Sequence, residues 1–252
     1  MQLIEGEKMR LKRKFGFRCY RGFIRLFKTK SLFVDLGDGR QDAGVMLCNH
    51  VSTKAPLSIE LFLDRPTRMW GAYEMNRGVI ETYKYQSKVY YHEKKHWPLF
   101  ASRLFCLLAS PLTSWFYTGI NLIETFRDLR FHKTITQSYQ TLKEGVNVVI
   151  FPEDSTNGYL DELEGLHNGF LVMLDYCYRK KGMDVPVYAT YYCKQNGIHI
   201  IDKPIMYSEL IADGSTKDQI ARRLCDRMNE LGRMARAMDR KTVQKQLKQI
   251  KK

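Results

Sequence analysis

The sequence predicts an α/β domain, a mostly parallel central sheet flanked by helices, with a basic amphipathic helical segment ahead of it. Three observations lead there. Short apolar runs that end in turn residues alternate with longer stretches of helical spacing, the order that builds a parallel sheet. With 44% hydrophobic and 12% aromatic residues, the 252-residue chain has enough core-forming side chains to exclude wholesale disorder. Charge is also segregated: residues 1–30 hold ten Lys/Arg against two acids and residues 217–252 hold twelve against four, a net +8 at each end of a chain of total charge +14. These features divide the chain into a basic amphipathic segment (1–30), an α/β domain (31–216) and a basic C-terminal helix (217–252).

The elements follow in order. Residues 8–30 interleave Lys/Arg with Phe15, Phe17, Tyr20, Phe23, Ile24, Leu26 and Phe27, so a helix here has a basic face beside an aromatic one. That is the composition of an interfacial anchor, and also of an ordinary packing helix. Ala43–Cys48 reads as a buried strand ending at Asn49 and His50, and Pro56 opens a helix. Thr67–Tyr73 and Ile120–Ile123 are further strand candidates. A helix is expected from His132 to Lys143, stopped by Gly145. Asn147–Phe151 is the clearest strand, ended by Pro152. Gly169–Lys180 reads as helix, Val185–Tyr191 and Ile198–Ile201 as strands, and Lys217–Met238 as a basic helix.

The six cysteines form no C-x-x-C pair, so neither a disulfide framework nor a cysteine zinc site is expected, and a reducing cytoplasm fits. The opening residues lack the apolar core of a secretory signal. The longest apolar stretch, Trp97–Phe126, is interrupted by Arg103 and Pro111 and is expected to line a core or lie in an interface rather than span a membrane. Two basic ends suit an anionic surface. No nucleic-acid-binding motif occurs, so the expected partner is a membrane and not nucleic acid.

In open α/β sheets, reacting groups collect where strands end. Two such places carry chemistry: Asn49-His50, where an imidazole can act as general base, and Phe151-Pro152-Glu153-Asp154, where carboxylates and hydroxyls follow a strand. Their order and spacing resemble the phospholipid/glycerol acyltransferase family. Its first block, Asn-His-x4-Asp-Pro, is matched by Asn49, His50 and Pro56. Its second, a strand from Gly to Arg, is matched by Gly119 to Thr125. The third, Phe-Pro-Glu-Gly-Thr-Arg-Ser, is matched by Phe151 to Asn157, with Gly169 near the next helix start. The fourth, Val-Pro-Val, is matched by Val185-Pro186-Val187. The resemblance covers roughly residues 43–205.

The resemblance implies a transferase of phospholipid biosynthesis, peripheral on the inner face of a membrane. It would carry a fatty acyl group from acyl-CoA or acyl-ACP, a co-substrate rather than a bound cofactor, to a hydroxyl of a glycerolipid-like acceptor. His50 would be the base and Asp154 the second catalytic residue, while Asn49, Ser52, Glu153, Ser155, Thr156 and Arg127 would bind substrate. No metal is implied. The family Asp that orients the His is Ala55 here, and its arginines are replaced by Thr125 and Thr156. Either another carboxylate has taken over (Asp154 or Glu153 first, then Glu60 or Glu74), or the acceptor is not a phosphate ester, or catalysis is lost and lipid binding kept. A third class, a zinc hydrolase, is suggested only by His92-Glu93-Lys94-Lys95-His96, which matches H-E-x-x-H. Trp97-Pro98 directly after it discourages helix continuation.

Overall fold

The structure, a computed structural model, describes residues 15–37, 42–51 and 53–250. In chain order the elements are α1 (Phe15–Phe27), β1 (Leu32–Asp35), β2 (Val45–Cys48), α2 (Lys54–Phe62), β3 (Thr67–Ala72), α3 (Val79–Lys84), α4 (Leu99–Ile120), β4 (Ile123–Thr125), α5 (Phe131–Lys143), β5 (Asn147–Ile150), α6 (Gly169–Asp175), β6 (Pro186–Cys193), β7 (Ile198–Ile201), β8 (Ile205–Met206), α7 (Tyr207–Ile211), α8 (Lys217–Ala237) and α9 (Arg240–Ile250). Wider π-helical turns continue α3 over Tyr85–Lys94 and α6 over Tyr176–Lys180.

The strands form one sheet in the order β1-β7-β6-β2-β5-β3-β4, with β8 also paired to β6. Pairing is parallel except where β6 meets β7 and β8. The fold is therefore mixed α/β with a mostly parallel sheet flanked by helices.

Period-two alternation sorts the strand side chains into two cores. Val45 and Leu47 of β2, Val148 and Ile150 of β5, and Val187, Ala189 and Tyr191 of β6 face one core, with Leu171 and Leu174 of α6 and Leu224, Met228 and Leu231 of α8. Met46 and Cys48, Val149, and Tyr188 and Tyr192 face the other, with Phe17 of α1 and Ala55 and Ile59 of α2. The central strands are buried on both sides, which is why they read as unbroken apolar runs rather than alternating ones.

Several boundaries differ from the sequence expectation, each for a local reason. Ile120–Ile123 is not a strand: α4 runs to Ile120, Asn121 caps it in the left-handed conformation (φ 57°), and β4 starts only at Ile123. The C-terminal segment is two helices, because Met238 leaves helical geometry (ψ 130°) between α8 and α9. Of the basic N-terminal segment, Phe15–Phe27 is helical as α1, and its first fourteen residues lie outside the described part. Trp97–Phe126 holds one continuous 22-residue helix, with Pro111 inside it, that is long and apolar enough to cross a membrane by length and composition.

Candidate functional site

Register builds the site. β2 and β5 are adjacent and parallel, with Leu47 opposite Ile150, so their C-terminal ends share one sheet edge. Three residues beyond that pair stand His50 and Glu153, and the His50 backbone N–H donates to Glu153 Oε2 at 2.8 Å. The His50 ring meets Phe151 edge-on (centroids 5.0 Å) and stacks on Tyr159 (5.2 Å, 15° between planes). The two strand-end motifs are thus one physical unit.

Each neighbour fixes that unit. Asn49 is fully buried; its Nδ2 donates to the Tyr192 carbonyl (3.0 Å), and its Oδ1 accepts from the Tyr192 N–H (2.7 Å). The side chain thereby imitates one more rung of the β2–β6 ladder. With both ends of the amide held by backbone and no surface exposed, Asn49 fixes the position of the His50 turn. Val51 follows at φ 42°, a left-handed conformation that costs a β-branched residue on the order of 1–3 kcal/mol and persists only where surroundings impose it.

The loop after β5 is fastened at several points. Glu153 pairs with Leu166, Asp154 N–H donates to the Gly165 carbonyl (3.1 Å), and His167 N–H to the Pro152 carbonyl (2.7 Å). Farther out, the Asn229 side chain of α8 accepts from Leu163 N–H (2.7 Å) and donates to its carbonyl (2.9 Å).

The adjacent carboxylates have opposite electrostatics. Burial raises Glu153 above the ordinary carboxylate range, opposed by the backbone N–H groups of His50 and Leu160. Asp154 is exposed, and the Thr156 hydroxyl (2.6 Å) and N–H (3.1 Å) hold it below that range. Asp154 therefore turns outward to cap its own loop, and the carboxylate joined to His50 is Glu153. Among the other candidates, Glu60 is buried against Arg21 of α1 (3.5 Å).

A cleft of about 760 Å³ opens beside this unit. Val51, Lys54, Ser155, Thr156, Tyr159 and Lys194 line one part of it, and Glu93, Lys95 and His96 another. Three lysines against one glutamate make the lining cationic, although Lys194 is paired with Asp161 (3.0 Å). Of the residues expected to bind substrate, Ser155 and Thr156 are among those that line this cleft. Arg127 is exposed in the turn after β4 and is not among the lining residues, and Ser52 lies outside the described part.

Sequence reasoning passed over Tyr159, Lys54, Lys194 and Asn229. Tyr159 left a signal: it is the one aromatic side chain in the polar stretch from Asp154 to Glu164.

Ala55, at the position where the resemblance expects an Asp, is fully buried among Met46, Cys48 and Ile59. Cys48, just before Asn49, is no nucleophile, since burial pushes its thiol up to about 12. The H-E-x-x-H pattern does not sit on one helix face. Its helix ends at Lys94, His96 has a left-handed φ of 56°, and His92 Nδ1 bonds to the Trp97 carbonyl (2.8 Å). Among the described residues no group of three His, Cys, Asp or Glu side chains suits a metal ion.

Comparison of the chain with models of known families, with curated proteins and with solved structures gives no match.

Proposed function

We propose that this chain is an O-acyltransferase that moves a fatty acyl group from acyl-CoA or acyl-ACP to a hydroxyl of a glycerolipid-like acceptor at the cytoplasmic face of an anionic membrane. The observation that carries this is the bond from the His50 backbone N–H to Glu153, which joins the imidazole turn to the Phe-Pro-Glu loop next to a cationic cleft lined by the neighbouring Val51, Ser155 and Tyr159.

In this reading an imidazole nitrogen of His50 takes the proton of the acceptor hydroxyl, and the oxygen attacks the thioester carbonyl carbon. The tetrahedral species collapses with cleavage of the C–S bond, and the leaving thiolate takes the proton back from the imidazolium. Stacking on Tyr159 and contact with Phe151 limit the directions in which the ring can point. The lysines of the cleft attract phosphate-bearing substrates.

Release of free thiol from acyl-CoA or acyl-ACP by the purified chain, with a glycerolipid acceptor present, is the test. Replacing His50 with Ala should lower the rate about 10²-fold or more, the usual worth of a positioned base. Equal rates for the two proteins would sink the proposal.

One observation favours a second reading, lipid binding without catalysis. The helix position where the family carries its orienting carboxylate is packed into the core as Ala55. Ala55→Asp separates the two: a rise in thiol release marks an enzyme short of one carboxylate, and no release from either protein with any donor marks a binding protein.

A further inference from the structure

Helix α4 is inside out. Its buried stripe, spaced by four, is Ser102, Cys106, Ser110 and Ser114, none more than 3% exposed. That stripe packs on α3 and its continuation, where Thr82, Gln86 and Ser87 are also buried, and Gln86 Oε1 accepts from Ser110 (3.4 Å) and Thr113 (3.2 Å). The opposite side carries Phe100, Leu104, Leu107, Leu108, Leu112 and Trp115, exposed by 46–79%. A helix in water buries its large apolar residues and shows the polar ones. Small and hydroxyl residues between helices with bulky apolar ones outside is the arrangement that lipid favours.

We infer that α4, flanked by α1, is the face by which the chain docks on an anionic lipid bilayer, lying in the plane of the interface. Charge selects this occupant. α4 has one charged residue, Arg103, in 22, while α1 beside it brings the exposed Arg18 and Arg25, and no acid occurs between Lys8 and Val34. The two helices are joined by Tyr20 against Trp115 (4.8 Å) and Phe17 against Phe116 (5.7 Å). An apolar ridge with a basic border matches acyl chains beneath acidic headgroups.

The helix does not cross. The excursion that contains it leaves after Ala72 of β3 and returns at Ile123 of β4, which stands opposite Trp70 only two residues back, so its two ends lie too close together for a bilayer to separate them. The outgoing limb carries Glu81, Lys84, Lys88 and Glu93, too many charges for the hydrocarbon. His96, three residues before α4, lines the cleft, so docking brings the cleft mouth to the lipid surface. The inference rests on the membrane part of the proposed function and not on the acyl-transfer chemistry: a chain that binds vesicles and cleaves no thioester leaves it standing.

Flotation of the full chain with phosphatidylcholine/phosphatidylglycerol vesicles tests it. Wild type is expected to float, and a Leu104→Gln, Leu107→Gln, Leu108→Gln protein to partition about a hundredfold more weakly, since three leucines lose their apolar burial. These side chains are exposed, so the melting temperature should not move. As a second readout that leaves the leucines intact, brominated lipid should quench Trp115 in a Trp70→Phe, Trp97→Phe background. Wild type that stays unbound, a triple variant that floats like wild type, or an unquenched Trp115 on bound protein would overturn the inference. So would a lipid-free dimer that the triple substitution dissociates while flotation persists, since the face would then belong to a second copy.

Discussion

At the scale of single residues, two buried titratable groups are set by opposite demands. Glu153 accepts from the backbone N–H groups of His50 and Leu160, so its role is geometric as well as electrostatic. Glu153→Ala strands two backbone donors and should cost about 2–4 kcal/mol, whereas Glu153→Gln keeps one acceptor and should cost about half as much. Urea denaturation of the two variants would show the order, and equal losses would deny the clamp. His199 lies between Phe33 (4.5 Å, 9°) and Tyr192 (4.4 Å, 30°), bonds to Ser58 (2.8 Å), and is pushed down to about 3 by burial. In the unfolded chain it protonates near 6.5, so below that pH the unfolded state binds the extra proton and stability is lost as pH falls towards 3. The slope is at most about 1.4 kcal/mol per pH unit. His199→Gln, which can still bond Ser58, should flatten thermal stability between pH 6.5 and 4 relative to wild type. An unchanged slope would assign the acid sensitivity elsewhere.

At the scale of elements, close approach decides how α1 meets α4. Phe17 of α1 lies over Gly119, and a Cβ there would stand 2.0 Å from the Phe17 ring. Gly119→Ala must therefore push Phe17 out of its buried site, at about 1–3 kcal/mol. The central strands do not depend on that contact, so the expected outcome is local: faster tryptic cleavage after Lys28 and Lys30, with a small change in global melting. Undiminished protection would mean that α1 docks by other means, chiefly Arg21, which donates through Nε to the Glu60 carbonyl (2.8 Å).

At the scale of the whole molecule, distant segments are tied by a few polar anchors. Arg240 of α9 donates to the carbonyls of Asn196 (2.5 Å) and Lys30 (2.5 Å), joining the last helix to the β6–β7 turn and the approach to β1. Arg240→Ala should lower stability by about 2 kcal/mol, with Arg240→Lys recovering part of it, as read by denaturation midpoints. No loss would mean that Val243 and its apolar neighbours hold α9 alone.

Much of the architecture was legible along the chain, because buried parallel strands are written as continuous apolar runs. Val45–Cys48 and Asn147–Ile150 have that form, and Pro56 and Gly145 mark local backbone limits that act without tertiary help. The end of α4 was not legible. Ile120 and Ile123 suit helix and strand alike, and only the turn at Asn121 separates them. β1 went unseen because Leu32–Asp35 is an edge strand, only partly buried and without a continuous apolar run, and its pairing with β7 is a contact across more than 160 residues. His50 and Glu153 announced themselves through the order of the blocks, but which carboxylate would meet the imidazole turn did not. By itself the sequence determined an alternating α/β chain with basic ends and two polar strand ends, since local periodicity and composition dictate those. Tertiary structure alone decided that Glu153 faces inward and Asp154 outward, that Asn49 serves the backbone, and that α4 shows its apolar side. Each depends on register between strands or on which helix face meets a neighbour, and neither is specified by nearby residues.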